Sequence, residues 1–144
     1  MDKDPLDVDL ALERLTKALP LQLRSAAAYT IAAGSITGFQ YVGLSDLLWK
    51  FAEADLADAR RLVEKIVTLG GEPTKEISGL ELPKKGDAIV KRLIELEKET
   101  IEALQDTIPA TGHTGDSEAL EHRLEHIIMR KQEQVDTLLR AKGS

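Results

Sequence analysis

The sequence predicts an all-α protein: a four-helix bundle made of two helical hairpins joined by one long crossover. Three observations predict it. Aromatic residues make up only 3% of the chain while charged residues make up 31%, so the core must be built from Leu, Ile, Val and Ala, and the composition favours helix over sheet. Four stretches repeat apolar residues every three or four positions, each bounded by Gly or Pro. One irregular segment, residues 71–86, carries Pro73, Gly79, Pro83 and Gly86, and is long enough to run the length of a bundle. The 144 residues suit one domain, 1–144, with a single hydrophobic core.

The first helix is predicted to open with Asp4 as N-cap and Pro5 at the first helical position. Leu10, Leu15, Ala18, Leu21, Leu23, Ala27 and Ile31 form its stripe. Pro20 lies within it and kinks rather than ends the helix, because the pattern resumes at once. Gly34 and Gly38 close the segment. The second helix spans about 46–69, capped by Ser45 or Asp46, with Leu48, Phe51, Ala52, Asp55, Ala59, Leu62, Ile66 and Leu69 facing inward. Gly70-Gly71 terminates it. Asp87 is the expected cap of the third helix, whose inner face is Ile89, Val90, Leu93, Glu97, Ile101 and Leu104; Pro109 ends it. After a turn at 111–115, Asp116 or Ser117 caps the fourth. Its stripe runs Leu120, Leu124, Ile127, Lys131, Gln134 or Val135, and Leu138.

Composition also excludes. The chain has no cysteine, which removes disulfides, thiolate metal sites and Cys nucleophiles. Its net charge of −6 argues against nucleic acid as a partner. No apolar run approaches the roughly 20 residues that span a bilayer, and the acidic start Met1-Asp2-Lys3-Asp4-Pro5 is unlike a signal peptide. A cytoplasmic protein without membrane partners is expected. No Gly-rich phosphate loop, Ser-His-Asp constellation or zinc spacing stands out.

Leu15-Thr16-Lys17-Ala18-Leu19, then Gln22 and Ala28-Tyr29, resembles the first helix of the bacterioferritins. The run from Arg61 through Leu69-Gly70-Gly71-Glu72-Pro73 is similar to the end of the second helix in bacterioferritin-like proteins and the DNA-protecting miniferritins. The resemblance is to the ferritin-like superfamily, and it implies a bundle holding two iron or manganese ions. In such bundles one Glu comes from each of two helices and a Glu-x-x-His pair from each of the other two. Carried over residue by residue, the first-helix Glu falls on Gln22 and the third-helix Glu on Glu97, with Glu95 as the neighbouring register. The Glu-x-x-His pairs fall on Asp55 and Asp58, and on Lys131 and Gln134. Only Glu97 keeps a family ligand, so the resemblance implies a degenerate di-metal site. The position matching the haem-binding Met of bacterioferritins is Leu56, so no haem is expected. Of the miniferritins' interfacial ligands, only Glu53 falls near a matching position.

The residues point the same way without the family. Asp55, Glu97 and Lys131 each sit on the apolar stripe of their own helix, and a lone buried charge is very costly. The economical arrangement is an ion-pair cluster with Lys131 between Asp55 and Glu97, and Gln22 and Gln134 bonding the remaining oxygens. The alternatives are one weakly held divalent ion on Asp55, Asp58 and Glu97, or a full two-metal centre. Elsewhere, His122 and His126 stand i,i+4 and could share a metal, but Glu118 and Glu125 beside them suggest a solvated face; His113 is in a turn without a partner. Trp49 and Tyr41 read as packing or dimer contacts. The run Arg123, Arg130, Lys131 and Arg140, mixed with Glu, also reads as a charged face.

The expected function is that of a ferritin-like protein non-catalytic in iron oxidation. It would bind and store or nucleate iron, or co-assemble with related active subunits. One alternative is a metal-free structural or interaction bundle; another is a mono- or di-metal oxidoreductase with unusual ligands. No fifth helix follows the bundle, so a homo-oligomer built on a dimer, or a larger 12-subunit shell, is expected. Its dimer face would lie around Phe39, Tyr41, Val42 and Trp49.

Overall fold

The computed structural model describes residues 5–110 and 115–143. Four long helices account for the fold: α1 (Val8–Ser35), α2 (Leu44–Thr68), α3 (Gly86–Gln105) and α4 (Gly115–Lys142), with 3₁₀ turns at Phe39–Tyr41 and Ile108–Ala110. Paired levels along the helices give their directions. Ser45 Oγ donates to the Ala33 carbonyl at 2.6 Å, while Leu12 packs beside Gly71, so α1 and α2 are antiparallel. Asp7 N donates to the Ala110 carbonyl at 3.0 Å, and Gly86 lies against Tyr41 and Thr37, so α1 and α3 are antiparallel too. It follows that α2 and α3 run parallel. Joining parallel helices needs a crossover, and the connector supplies it: Ser78 N donates to the Pro20 carbonyl at 3.3 Å on the way. Among the described residues no helix is long and apolar enough to cross a membrane.

Helix existence follows the sequence reading; the caps differ. Asp4 lies outside the described residues, Pro5 precedes the helix, and Asp7 is the N-cap of α1, accepting from Leu10 N at 3.0 Å. The α-helix continues through Pro20. Helix α2 starts earlier than expected, behind Gly43, with no side-chain cap. Ser45 sits in its first turn and bonds across the hairpin to α1 instead. Helix α3 starts behind Lys85; Asp87, expected as its cap, stands in the first turn and accepts from the Tyr41 hydroxyl. That bond raises the tyrosine pKa, with desolvation and the Asp87 charge adding to it. Asp116 and Ser117 fall inside α4, which starts at Gly115. Ser45 and Asp87, both with capping chemistry, each stand one position inside the helix and have a tertiary partner within reach.

Two glycines place the crossover. Gly70 has φ +89°, a left-handed conformation that ends α2 and is costly for residues with a Cβ. A Cβ on Gly86 would stand 2.5 Å from Tyr41 Cε2, so only glycine lets α3 begin against that ring.

The core is divided along the bundle axis. One apolar cluster holds Ala28, Leu48, Ala52, Ile89, Leu93, Val135 and Leu138. The other holds Leu15, Leu19, Leu62, Ile66, Leu104, Leu124 and Ile127. Between them lies a layer of buried polar side chains drawn from all four helices: Gln22, Ser25, Asp55, Glu97, Lys131 and Gln134.

Candidate functional site

Each helix enters this layer because its apolar stripe is interrupted once, at the same height. A polar residue on a stripe is carried inward with its neighbours, whatever its own preference, since the flanking turns bury leucines. Lys131 follows Leu124 and Ile127 and precedes Leu138; its side chain is 0% exposed. Asp55 lies between Ala52 and Ala59, and Glu97 between Leu93 and Ile101, all buried.

The lysine ammonium is at the centre. Its three N–H bonds have three oxygens in reach: Glu97 Oε1 at 2.8 Å, Ser25 Oγ at 3.1 Å and Asp55 Oδ2 at 3.2 Å. The Ser25 hydroxyl donates to Asp55 Oδ2 at 2.6 Å and lies 3.1 Å from Glu97 Oε1. The far oxygen of Glu97 accepts from the Tyr29 hydroxyl and from Gln134 Nε2, each at 2.6 Å. Gln134 Nε2 also lies 3.4 Å from Asp55 Oδ1. Glu97 thus accepts from three donors across its two oxygens, Tyr29 of α1 and Lys131 and Gln134 of α4, with the Ser25 hydroxyl beside them.

Asp55 is less well served. Burial pushes its carboxyl up from 3.8 to about 6; Lys131 opposes this, and the Glu97 charge adds to it. For Lys131, burial works to lower the pKa, but the Glu97 and Asp55 charges outweigh it and the net shift is upward, so the ammonium stays protonated. Burial, followed by the Glu97 and Asp55 charges, holds the Tyr29 hydroxyl well above its ordinary value. Two carboxylates share one ammonium in a site with no water-facing side; desolvation is the main cause of the raised Asp55 pKa, and the Glu97 charge adds to it.

The expected cluster of Lys131, Asp55, Glu97 and Gln134 is therefore assembled. Glu97, not Glu95, is the inward register: Glu95 is exposed and pairs with Arg92 at 3.3 Å. Two members differ from expectation. Gln22 is buried in the layer, but its Nε2 donates to the backbone carbonyl of Asp55, at 2.9 Å, rather than to a carboxylate oxygen. Asp58 is buried but turns toward α4, where its Oδ2 pairs with Arg130 Nη1 at 2.5 Å. One turn after Asp55, it lies close enough to the bundle edge for an arginine to reach it. The Gln22 and Gln134 Oε1 atoms are buried without a hydrogen-bond partner among the described residues.

Ser25 and Tyr29 were missed by the sequence reading. Their signal was present: Gln22, Ser25 and Tyr29 follow at i, i+3 and i+7 on one face of α1. A serine amid alanines reads as a small packing residue, and a tyrosine as an aromatic one, until the partner helices are in place. Of the other candidates, His122 and His126 are exposed on α4 together with Glu118 and Glu125, and Glu53 is exposed on α2. His113 lies outside the described residues. Among the described residues no group of three or more His, Cys, Asp or Glu is arranged to hold a metal.

The family model for the ferritin-like domain matches residues 12–141. The chain belongs to the ferritin-like family. Among solved structures, this ferritin-like chain superposes with a TM-score of 0.87 on a ferritin-like, diiron-carboxylate protein from Bacillus anthracis strain Ames. The two are 22% identical, and the match covers 95% of this chain and 98% of that one, so the likeness is one of fold. No curated protein matches the sequence. The polar layer of this ferritin-like bundle lies where its four helices come together at mid-height.

Proposed function

We propose that this protein is a ferritin-like bundle that does not oxidise iron, its midplane closed by a lysine–carboxylate cluster in place of a resident metal, and that it serves as a structural or co-assembling subunit. One observation carries the reading: the Lys131 ammonium stands between Glu97, at 2.8 Å, and Asp55, at 3.2 Å, with no exposure. The family's di-metal chemistry needs bridging carboxylates, imidazole nitrogens and open positions. The residues present do not fit it. The ammonium sits on one oxygen each of Glu97 and Asp55, which a metal would need, the third carboxylate, Asp58, is committed to Arg130 at 2.5 Å, and no imidazole lies in the cluster. An Asp55–Asp58–Glu97 ion site would require both lysine and arginine to leave.

Assembly supplies the role. The outer face of α1 and α2 exposes Trp49 and Leu56, with Ile77 of the crossover beside them, around a hollow also lined by Leu23 and Glu53. An apolar patch rimmed by charge is a protein contact surface. A second copy, or a related ferritin-like subunit, fits it. Tyr41 is not part of this surface: it is buried beneath Gly86, while Phe39 and Val42 are exposed at the end of the hairpin.

The test is metal analysis and ferrous oxidation on protein purified without chelator. The expected result is less than one equivalent of metal and oxidation no faster than in protein-free buffer. Two tightly held ions per chain, or rapid oxidation, would overturn the proposal. Co-expression with a ferroxidase-active ferritin-like subunit, followed by mass measurement of the assembly, tests the co-assembly arm.

A further inference from the structure

A cleft of about 270 Å³ opens between α2 and α4, away from the polar layer. Arg61 and Lys65 line it from α2 and Arg123 from α4. Glu64 is the one carboxylate among its described lining residues, and its Oε1 is paired with Arg60 Nε at 3.1 Å. No ion pair or hydrogen bond joins the side chains of Arg61, Lys65 or Arg123 to another described residue. Three uncompensated cations therefore face one hollow in a chain whose net charge is −6. That is against the average field of the molecule, and like charges held together without a partner cost stability. Beneath them lie Leu62 and Leu120, both buried, which lowers the local dielectric and strengthens attraction to an anion.

We propose that this cleft binds a small phosphate-bearing anion. Two guanidinium forks from different helices suit a tetrahedral oxyanion that offers a separate pair of oxygens to each, and a lysine adds a point charge. The Thr68 hydroxyl, also in the lining, gives its proton to the Glu64 carbonyl at 2.8 Å, so recognition falls to the three cations. The volume lies at or below the roughly 300 Å³ lower bound of pockets for drug-sized molecules. It suits one or two phosphate groups and not a polymer. Arg61 also borders the hollow on the outer face of α1 and α2, but Lys65 and Arg123 take no part in it, so two of the three cations do not depend on the assembly proposed above.

The experiment is a calorimetric titration of the intact protein with pyrophosphate at about 0.1 M salt, where exposed charges more than about 10 Å apart are largely screened. Saturable one-to-one binding tighter than about 1 mM is expected, weakened at least about tenfold by Lys65→Glu with Arg123→Glu. Lys50→Glu, which reverses an exposed cation elsewhere on α2, should change the affinity by less than about twofold. Circular dichroism establishes that each variant is folded; if the double reversal is not, Arg123→Gln takes its place, with about a threefold loss expected. Absence of saturable binding overturns the proposal. So does an equal loss from Lys50→Glu, which would reduce the effect to general surface charge.

Discussion

Lys131 Nζ stands 2.8 Å from Glu97 Oε1 with both side chains shut off from solvent. The pair is the closest contact of a cation that touches three helices besides its own lineage of leucines on α4: Ser25 belongs to α1, Asp55 to α2 and Glu97 to α3. Such an interaction is not a simple gain. Desolvating two ions offsets much of their attraction, so a well-packed apolar replacement of the whole cluster can be as stable. Breaking it is another matter.

Lys131→Met is expected to destabilise the fold by roughly 3–5 kcal/mol at pH 7, because it leaves Asp55 and Glu97 facing each other without a cation. Adding Asp55→Asn and Glu97→Gln should recover most of the loss, since the amides are neutral and their oxygens still accept from Ser25 and Tyr29. Urea unfolding monitored by circular dichroism measures both. A neutral Lys131→Met would show that the ammonium is not the partner the two carboxylates depend on.

The cluster also sets a pH dependence. Asp55 faces Ser25 and Tyr29 from α1, Glu97 from α3, and Lys131 and Gln134 from α4. Its folded pKa of about 6 lies above its ordinary value of 3.8, so the native state holds this proton more tightly than the unfolded chain. The stability this gives is fully present below 3.8 and is lost as pH rises through about 6. Lys131, shifted upward, keeps its contribution through neutrality and loses it only in alkali. Relative to Asp55→Asn, the wild-type protein should be most stable near the lower end of that window and lose ground toward neutrality. Parallel unfolding curves for the two proteins across the window would contradict the shift.

Restoring the family's ligand chemistry should restore metal dependence. In the fourfold variant Gln22→Glu, Asp58→His, Lys131→Glu and Gln134→His, buried carboxylates lose their ammonium and acquire imidazoles beside them. Without metal this protein should be much less stable than the wild type; with Mn²⁺ or Zn²⁺ its melting temperature should rise steeply, because an ion that binds only the native state stabilises it. The wild-type melting temperature should not respond. A variant indifferent to metal would show that the layer lacks room for an ion.

The α1–α2 face should mediate self-association. Leu56 is 60% exposed and Trp49 49% on that surface, and an isologous contact would cover both at once. Light scattering at micromolar concentration is expected to show a dimer or a larger dimer-based assembly. Leu56→Glu, an exposed change with little effect on the fold itself, should shift it to monomer. A wild-type monomer would remove the contact proposed for this face.

The sequence by itself determined the four helices, the inward faces of α2, α3 and α4 and the long crossover, because helical periodicity and Gly/Pro punctuation are local signals that burial then obeys; on α1 only Leu15 and Ala18 of the expected stripe are buried, Ile31 is 49% exposed, and the inner face turns instead to Ala11, Leu19, Gln22, Ala28 and Ala32. It also placed Asp55, Glu97, Lys131 and Gln134 together, since each breaks an apolar stripe at a matching height and buried charges need partners. Tertiary structure decided the rest. Asp58 went to Arg130, Ser45 to the Ala33 carbonyl and Asp87 to Tyr41, all short polar side chains that sequence offers equally to a cap, a cluster or a neighbour. Ser25 and Tyr29 became part of the site only when α1 was laid against α3. Which donor meets which acceptor depends on a few ångströms of helix rotation and on what stands opposite, and a one-dimensional pattern fixes the face a residue occupies but not the atom it meets.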